Sequence, residues 1–398
     1  MTRKLNPHAL FGLVAASTLL GIAGTDLVLP AVPSLPHAFD SSVEKAQMVL
    51  AAYALGTLVG LIAFGELGAR RDPRRLLIWS LGLFTVASIA ATFAPSMEGL
   101  IALRLAQGAF GAGPAVFAPG FIKGIFPDDR AAAAIGRLGS IESLAPALAP
   151  IAGAYLLTLG GWEVSFFVLG GLGLALTLVL WALGKELPAR TEALQSNQTY
   201  WTILGNRNFL RYALSQSFAL GGLLVFVFGA PAVLAGPLGL GIEAFVILQA
   251  VGIVAFIIGA NLSSRLANRF GTERIIFAGT SLLATAFLLL LIYAATGGTS
   301  LAVIVSIWIF VNLGFGIRGP IGFHQAILAA EGDHSRGAAL VVAGILGTAA
   351  AGTALIAPFI ALGLWPLALG GALLTGLAMI VLVALRQTPP RRLAGTDG

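Results

Sequence analysis

The feature that most constrains this chain is a succession of long apolar runs separated by short polar connections. A helical run of about 20 residues spans the hydrocarbon core of a bilayer. Such runs occupy residues 9–33, 45–68, 75–94, 98–122, 132–158, 162–183, 209–234, 244–267, 273–295, 300–326, 335–361 and 364–385. Because a membrane-spanning backbone must satisfy its own hydrogen bonds, the pattern predicts an all-α membrane protein with twelve transmembrane helices.

The composition supports a membrane protein and argues against an enzyme. Hydrophobic residues make up 58% of the chain and charged residues 10%, whereas soluble domains carry about 25% charged residues. The 51 glycines allow close helix packing in lipid. With no cysteine, disulfides and thiolate chemistry are excluded. The sequence shows no nucleotide-binding loop, metal-ligand cluster or Ser-His-Asp arrangement, so we expect no cofactor, no bound metal and no catalysis.

The positive charges follow the predicted topology rather than forming a nucleic-acid-binding patch, although the net charge is +6. With both termini in the cytoplasm, the outer connections carry only Lys45. The inner connections then carry Arg70, Arg71, Arg74, Arg75, Lys123, Arg130, Lys185, Arg190, Arg207, Arg265, Arg269, Arg274 and Arg336. The positive-inside rule therefore predicts a multi-pass protein of the cell (inner) membrane with both termini cytoplasmic.

A long polar connection divides the chain into two predicted halves. We expect an N-terminal six-helix half at 1–184, a cytoplasmic linker at 185–208 and a C-terminal six-helix half at 209–398. A weak repeat supports this division, because the sequences at 65–70 and 259–265 end the second and eighth runs in similar ways. Parallel halves of this kind place a substrate site between them near the membrane midplane.

A charged residue inside a span costs about 2.5–3.5 kcal/mol to insert and is a functional candidate, and we consider four: Asp26, Arg104, Glu142 and Arg318. Asp26 and Arg104 lie at matched depths, about 12 and 9 Å from the outer ends of their helices. Two interpretations are open: Asp26 is a protonatable carboxylate beside the fixed positive charge of Arg104, or the two residues form a static ion pair that only holds their helices together. Glu142 lies near the midplane and fits a second proton site, an anchor for a cationic substrate, or an acid bonded to a neighbouring serine. Arg318 is predicted to snorkel to the interface, with attraction of anions as the alternative.

Other polar and aromatic residues could line a central cavity and bind substrate together with Glu142. These residues also fit ordinary packing, so both interpretations stay open for Tyr53, Gln216, Gln249, Trp308 and Asn312.

Four sequence motifs resemble those of one transporter family. In the first run, Asp26 is followed four residues later by Pro30. The fourth run contains the sequence Arg-Leu-Ala-Gln-Gly, in which Arg104, Gln107 and Gly108 are the motif residues. The fifth run has the sequence Ala-Pro-Ile-Ala-Gly, which contains Pro150 and Gly153. The segment 65–75, which covers the end of the second run and the loop after it, contains Gly65, Arg70 and Asp72. Together these motifs resemble the major facilitator superfamily and, within it, the twelve-helix drug/proton antiporter branch that is associated with bicyclomycin and chloramphenicol resistance.

The sequence departs from the family pattern at a few positions. Ala69 stands where the signature loop has Asp, and Asp72 stands where it has Gly. Ala149 and Ala154 stand where the antiporter motif has Gly. Glu66 or Asp72 is therefore the candidate to replace the missing loop carboxylate.

The resemblance implies a secondary active transporter that exports a small amphipathic, drug-like compound in exchange for protons by alternating access. Asp26, Arg104 and Glu142 would take part in proton coupling, and the motif residues would act in gating and packing. The expected partners are the small-molecule substrate, protons and the lipid bilayer, with no nucleic acid and a monomeric protein. A sugar or amino-acid exporter on the same fold is the alternative. A membrane enzyme or receptor would need a His-rich or multi-carboxylate site near the interface.

Overall fold

The computed structural model describes residues 6–142, 145–188, 200–330 and 334–385, and these residues are almost entirely helical. We number the membrane-crossing units as spans 1–12. They comprise Pro7–Asp26 (span 1), Val43–Arg70 (span 2), Pro73–Thr92 (span 3), Met97–Gly111 with Gly113–Ile125 (span 4), Asp128–Glu142 with Ala145–Gly160 (span 5), Glu163–Leu183 (span 6), Arg207–Ala235 (span 7), Gly241–Phe270 (span 8), Thr272–Ala295 (span 9), Leu301–Leu328 (span 10), His334–Ile356 (span 11) and Leu364–Ala384 (span 12).

The helices confirm the predicted all-α membrane fold. Eleven helical units in the described residues are long and apolar enough to cross a membrane. The remaining unit, span 5, divides into Asp128–Glu142, which contains several charged residues, and an apolar helix at Leu148–Gly160 that is shorter than a full crossing. Its polar half needs protein or water around it, because lipid cannot solvate charged side chains.

Local sequence explains where several spans begin. The Ser42 hydroxyl accepts a hydrogen bond from the Lys45 amide at the start of span 2. Asp72, Ser96 and Asn206 cap spans 3, 4 and 7 in the same way. These short polar side chains satisfy amide groups that have no partner within the helix.

Span 1 is not the continuous helix predicted for residues 9–33. Its α-helix ends at Asp26, and the chain continues as a 3₁₀ helix at Leu29–Ser34 and a short α-helix at Leu35–Ala38. Pro30 and Pro33 lie in the 3₁₀ segment and lack the amide donors that an α-helix would use. The break therefore places Asp26 at a helix terminus.

The two groups of six spans meet along spans 2 and 11 and at one end of the bundle. We call the end that holds Pro7 and the helix Tyr200–Leu204 the linker end, and the other the opposite end. The 3₁₀ segment after span 1 contacts span 7, and Ala357–Leu362 after span 11 contacts span 2. The Ala145–Gly160 half of span 5 contacts span 8, whereas Asp128–Glu142 has its main contacts with spans 1 and 4. Spans 2 and 11 also pack together, with Leu58 beside Gly347.

The two halves repeat one close helix contact. A Cβ added at Gly108 of span 4 would lie 2.2 Å from the Tyr53 carbonyl oxygen of span 2. A Cβ added at Gly316 of span 10 would lie 2.4 Å from the Phe256 carbonyl oxygen of span 8. Spans 2 and 4 thus correspond to spans 8 and 10, which agrees with the predicted internal repeat.

Candidate functional site

Arg104 forms the centre of a buried polar network in spans 1–6. Its side chain is fully buried. Nη1 donates to the Gly24 carbonyl oxygen at 2.8 Å and to Gln107 Oε1 at 2.6 Å, and Nε donates to the Val49 carbonyl oxygen at 3.3 Å. The guanidinium carbon also lies 4.1 Å from the centre of the Tyr53 ring. Arg104 therefore joins span 4 to spans 1 and 2.

The network continues to span 3 through Ser88, which belongs to none of the sequence motifs. Gln107 Nε2 donates to Ser88 Oγ at 2.7 Å, and Ser88 Oγ donates to the Phe84 carbonyl oxygen at 2.7 Å. Serine is common in apolar helices, where it bonds to its own backbone, so no sequence pattern distinguishes Ser88 from other serines.

Asp26 lies beside this network at the end of the span 1 α-helix. It is buried, with 8% of its surface exposed. It interacts electrostatically with Arg104, but no salt bridge within 4.0 Å joins the two residues in the described structure. The predicted proximity of carboxylate and guanidinium is present without a direct ion pair. A carboxylate of this kind can gain or lose a proton without first breaking a salt bridge.

The backbone next to Asp26 is held by two neighbouring spans. Ser165 Oγ of span 6 donates to the Leu27 carbonyl oxygen at 3.2 Å. A Cβ added at Gly153 of span 5 would lie 2.1 Å from the same oxygen. Gly153 and the preceding Pro150 lie in the Ala145–Gly160 helix. The antiporter-like motif thus packs directly on the break in span 1.

Glu142 lies apart from this network, at the end of the Asp128–Glu142 helix. It is half-buried, and its carboxyl group interacts with the Thr18 hydroxyl of span 1. Its predicted serine partners, Ser140 and Ser143, fall outside the side chains that the structure describes. Arg137, five residues earlier, is exposed and lies 5.9 Å from the Phe11 ring. Arg137 also lies in the predicted fifth run and, like Glu142, is a charged residue inside a predicted span.

The five residues proposed to line a cavity do not lie together. Tyr53 is 2% exposed and packs under Arg104. Trp308 and Asn312 pack closely against Gly252 of span 8, and Gln249 lies one turn before that glycine. The ring of Phe226 stacks on Trp308 at 4.6 Å. Gln216 is found elsewhere, beside Arg318.

The interfacial position predicted for Arg318 is wrong. Its side chain is fully buried, with Nη1 donating to the Ser215 carbonyl oxygen at 3.1 Å and Nη2 to Ser215 Oγ at 3.3 Å. A Cβ added at Gly322 would lie 2.8 Å from Nη2 and 2.9 Å from Gln216 Oε1. The side chain turns towards span 7 because glycines at 279 and 322 leave room for it inside the bundle.

The signature loop at the linker end forms a local salt bridge. Asp72 accepts hydrogen bonds from the Arg74 amide at 3.0 Å and from Arg74 Nη2 at 2.9 Å. These bonds to Arg74 lower the pKa of the Asp72 carboxyl group. Glu66 is exposed and has no ion-pair partner among the described residues. Of the two candidate replacements for the missing loop carboxylate, Asp72 is the one that forms an ion pair.

Two other motif residues lie at the end of span 2. Gly65 faces the linker helix Tyr200–Leu204, since a Cβ added there would lie 3.8 Å from the Tyr200 hydroxyl. Arg70 is exposed at the last residue of the span.

Two cavities in the described structure lie away from the predicted substrate residues. One, of about 510 Å³, lies between spans 9 and 10 and is lined by apolar residues such as Leu282 and Phe310. The other, of about 220 Å³, lies at the opposite end between the halves, against Pro33, Val43 and Ala235. Among the described residues, no group of three or more His, Cys, Asp or Glu side chains could hold a metal ion.

Comparison with known proteins gives a consistent family. A family model described as the Major Facilitator Superfamily matches residues 14–354. The chain is 26% identical over 257 residues to a bicyclomycin resistance protein homolog of Haemophilus influenzae, a match that covers 63% of this chain and 64% of the relative. It is 26% identical over 388 residues to the multidrug resistance protein MdtL of Escherichia fergusonii, which covers 96% of both chains.

A solved structure supports the fold alone. It is a bacterial homologue of the human lysosomal transporter Spinster, and it superposes with a TM-score of 0.72 at 16% identity. The match covers 96% of this chain and 99% of the solved chain.

Proposed function

Because the chain belongs to the Major Facilitator Superfamily, we propose that it exports a small amphipathic, drug-like compound in exchange for protons. The resemblance to the drug/proton antiporter branch is confirmed by relatives whose names refer to bicyclomycin and multidrug resistance. The proton gradient is the proposed energy source, with Asp26 as the main coupling residue and Glu142 as a second candidate.

The observation that carries the proposal is the environment of Asp26. Its carboxyl group is buried at a helix break, interacts electrostatically with Arg104 and has no salt-bridge partner in the described part of the chain. A coupling group must change its protonation state and respond to movement of nearby helices. A carboxylate at a break in span 1, packed against spans 4, 5 and 6, meets both conditions.

We propose that transport occurs by rocking of the half at 1–184 against the half at 209–398, joined by the linker at 185–208. With both termini cytoplasmic, the contacts that the segments after spans 1 and 11 make across the halves at the opposite end fit a state that is closed to the outside. In this state the Asp128–Glu142 segment offers Glu142 as a contact for a substrate that enters from the cytoplasm.

The test measures transport by purified protein in liposomes with and without an imposed pH gradient. Chloramphenicol, bicyclomycin and ethidium serve as probes, with a sugar and an amino acid as competitors. We expect the gradient to drive accumulation of at least one drug-like probe. We expect Asp26→Asn, which keeps the side-chain shape, to abolish that dependence while downhill exchange continues.

Three outcomes would contradict the proposal or one of its parts. Drug-like probes that move at the same rate with and without the gradient would exclude proton coupling. Selective competition by the sugar or the amino acid would instead support the metabolite exporter. Gradient-dependent export that survives Asp26→Asn but is lost in Glu142→Gln would transfer the coupling role to Glu142.

A further inference from the structure

Tyr53 is enclosed where spans 1, 2 and 4 meet, rather than facing a cavity. Its side chain is almost fully buried, and its hydroxyl donates to the Gly21 carbonyl oxygen at 2.6 Å. A Cβ at Gly24 would lie 2.2 Å from the Tyr53 hydroxyl oxygen, and one at Gly111 would lie 3.0 Å from it. Glycines on spans 1 and 4 therefore leave the space that the tyrosine fills.

The Tyr53 ring holds the Arg104 guanidinium from one face. The guanidinium carbon lies 4.1 Å from the ring centre, close enough for a cation–π interaction. The carbonyl oxygens of Gly24 and Val49 accept hydrogen bonds from the same guanidinium. These contacts fix its position from spans 1 and 2 at once.

One nitrogen of the guanidinium remains available to bind a carboxylate. Arg104 Nη2 is buried and has no hydrogen-bond partner among the described residues. Asp26 interacts with Arg104 electrostatically but without a salt bridge in that same part of the chain. The Asp26 carboxyl group and the Arg104 guanidinium thus lie near each other in a buried site without forming an ion pair.

We infer that Tyr53 is a positioning residue that holds the Arg104 guanidinium short of an ion pair with Asp26. The inference rests on the proposed use of Asp26 for proton coupling. A closed ion pair in a site of low dielectric would hold the carboxylate in its charged form. By keeping the two groups apart, the ring leaves Asp26 able to take up and release a proton.

The other spans packed against span 1 supply no competing charge beside Asp26 in the described structure. Arg104 of span 4 and Tyr53 of span 2 are the titratable side chains that interact with it. Glu142 of span 5 faces Thr18, about two turns away along span 1. Span 6 contributes Ser165, which bonds to the Leu27 carbonyl oxygen.

Chemical labelling tests the inference without requiring a known substrate. Dicyclohexylcarbodiimide, an apolar reagent, reacts with protonated carboxyl groups, and peptide mass spectrometry locates the label. Labelling of Asp26 is measured against pH for the wild type, Tyr53→Phe, Tyr53→Leu and Tyr53→Met. The last two remove the aromatic face, and methionine keeps more of the volume if leucine prevents folding.

We expect Tyr53→Leu and Tyr53→Met to move half-maximal labelling of Asp26 to lower pH by about one unit or more, because the released guanidinium pairs with the carboxylate. Tyr53→Phe keeps the ring and should cause a smaller shift. Phe64→Leu is the matched control, because Phe64 is a buried aromatic residue of the same span that packs on Phe117. It should leave the labelling curve unchanged.

The outcomes separate this inference from the proposed function. If Tyr53→Leu and Tyr53→Met lower thermal stability but keep the wild-type labelling curve, Tyr53 has only a packing role and the inference is overturned. If wild-type Asp26 is not labelled at any pH while Glu142 is, the coupling role of Asp26 fails and takes the inference with it. A shifted curve in a protein whose transport ignores the pH gradient would support the positioning role and contradict the proposed function.

Discussion

At the scale of single residues, both fully buried arginines are held by backbone carbonyl oxygens. Arg104 donates to the carbonyls of Gly24 and Val49, and Arg318 donates to that of Ser215. A guanidinium has five N–H donors, so carbonyls can satisfy several of them while the charge keeps its long-range effect. Each arginine thus joins helices and also supplies a fixed positive charge inside its half.

A prediction at this scale concerns Asp72, which caps span 3 and bonds to Arg74. Asp72→Ala should lower the free energy of unfolding by about 1 kcal/mol, because the helix loses its capping side chain. Asp72→Asn is the matched control, since asparagine caps a helix nearly as well but carries no charge. Thermal unfolding in detergent compares the two variants with the wild type.

The same residue gives a pH dependence with a defined sign. The bonds from Arg74 lower the pKa of Asp72 in the folded protein below its ordinary value of 3.8. The ionic part of its stabilisation is therefore complete above that value and is lost as the pH falls through the lowered folded pKa. The advantage of the wild type over Asp72→Asn should be present at pH 7 and should shrink in acid. An advantage that grows as the pH falls would contradict this assignment.

At the scale of helices, the break in span 1 and the glycine surface of span 5 fit each other. The Leu27 carbonyl oxygen, left free by the end of the α-helix, lies against Gly153 and accepts a bond from Ser165. Gly108 and Gly316 show the same use of glycine for contact between spans 2 and 4 and between spans 8 and 10. In lipid such close approaches replace the hydrophobic effect as the source of helix association.

Gly153→Ala tests this contact. The new methyl group would lie 2.1 Å from a backbone oxygen that cannot move without shifting span 1. We expect a loss of about 1–3 kcal/mol in stability from overpacking and at least a tenfold loss of transport, because Asp26 adjoins the displaced segment. Gly171→Ala on span 6 is the control, since nothing lies within 4 Å of its added Cβ. Full transport by Gly153→Ala would refute the packing role of the motif.

At the scale of the whole molecule, two six-helix halves contact each other through spans 2 and 11 and through the segments at the opposite end. The linker helix Tyr200–Leu204 lies between the two halves at the linker end. Its Tyr200 faces Gly65 of span 2, and its ring lies 5.6 Å from the guanidinium carbon of Arg336 on span 11. A movement that separates the two halves at the opposite end would therefore change both the contact between spans 2 and 11 and the contacts of the linker helix.

The orientation of the molecule is predicted from its charges and can be tested because the chain contains no cysteine. A single cysteine in place of Ser196, which lies outside the described residues, should react with an impermeant thiol reagent only after the cells are opened. A cysteine in place of Ser41, in the connection between spans 1 and 2, should react in intact cells. The reverse pattern would invert the proposed topology.

The sequence by itself determined the all-helical membrane fold, because the long apolar runs that predict it depend only on local composition. The asymmetry of Lys and Arg predicts the orientation from composition in the same way. It also identified Asp26, Arg104, Gln107 and Gly153 as members of motifs. Charged and amide side chains are rare inside apolar helices, and glycine there indicates close helix packing.

Only the tertiary structure decided which of these side chains meet. The sequence could not show that Tyr53 packs on Arg104, that Ser88 extends the network, or that Arg318 turns into the bundle. Such contacts depend on the rotation and depth of helices that are distant in sequence. A shift of one residue turns a side chain by about 100° around its helix, which is enough to move it from the interior to lipid.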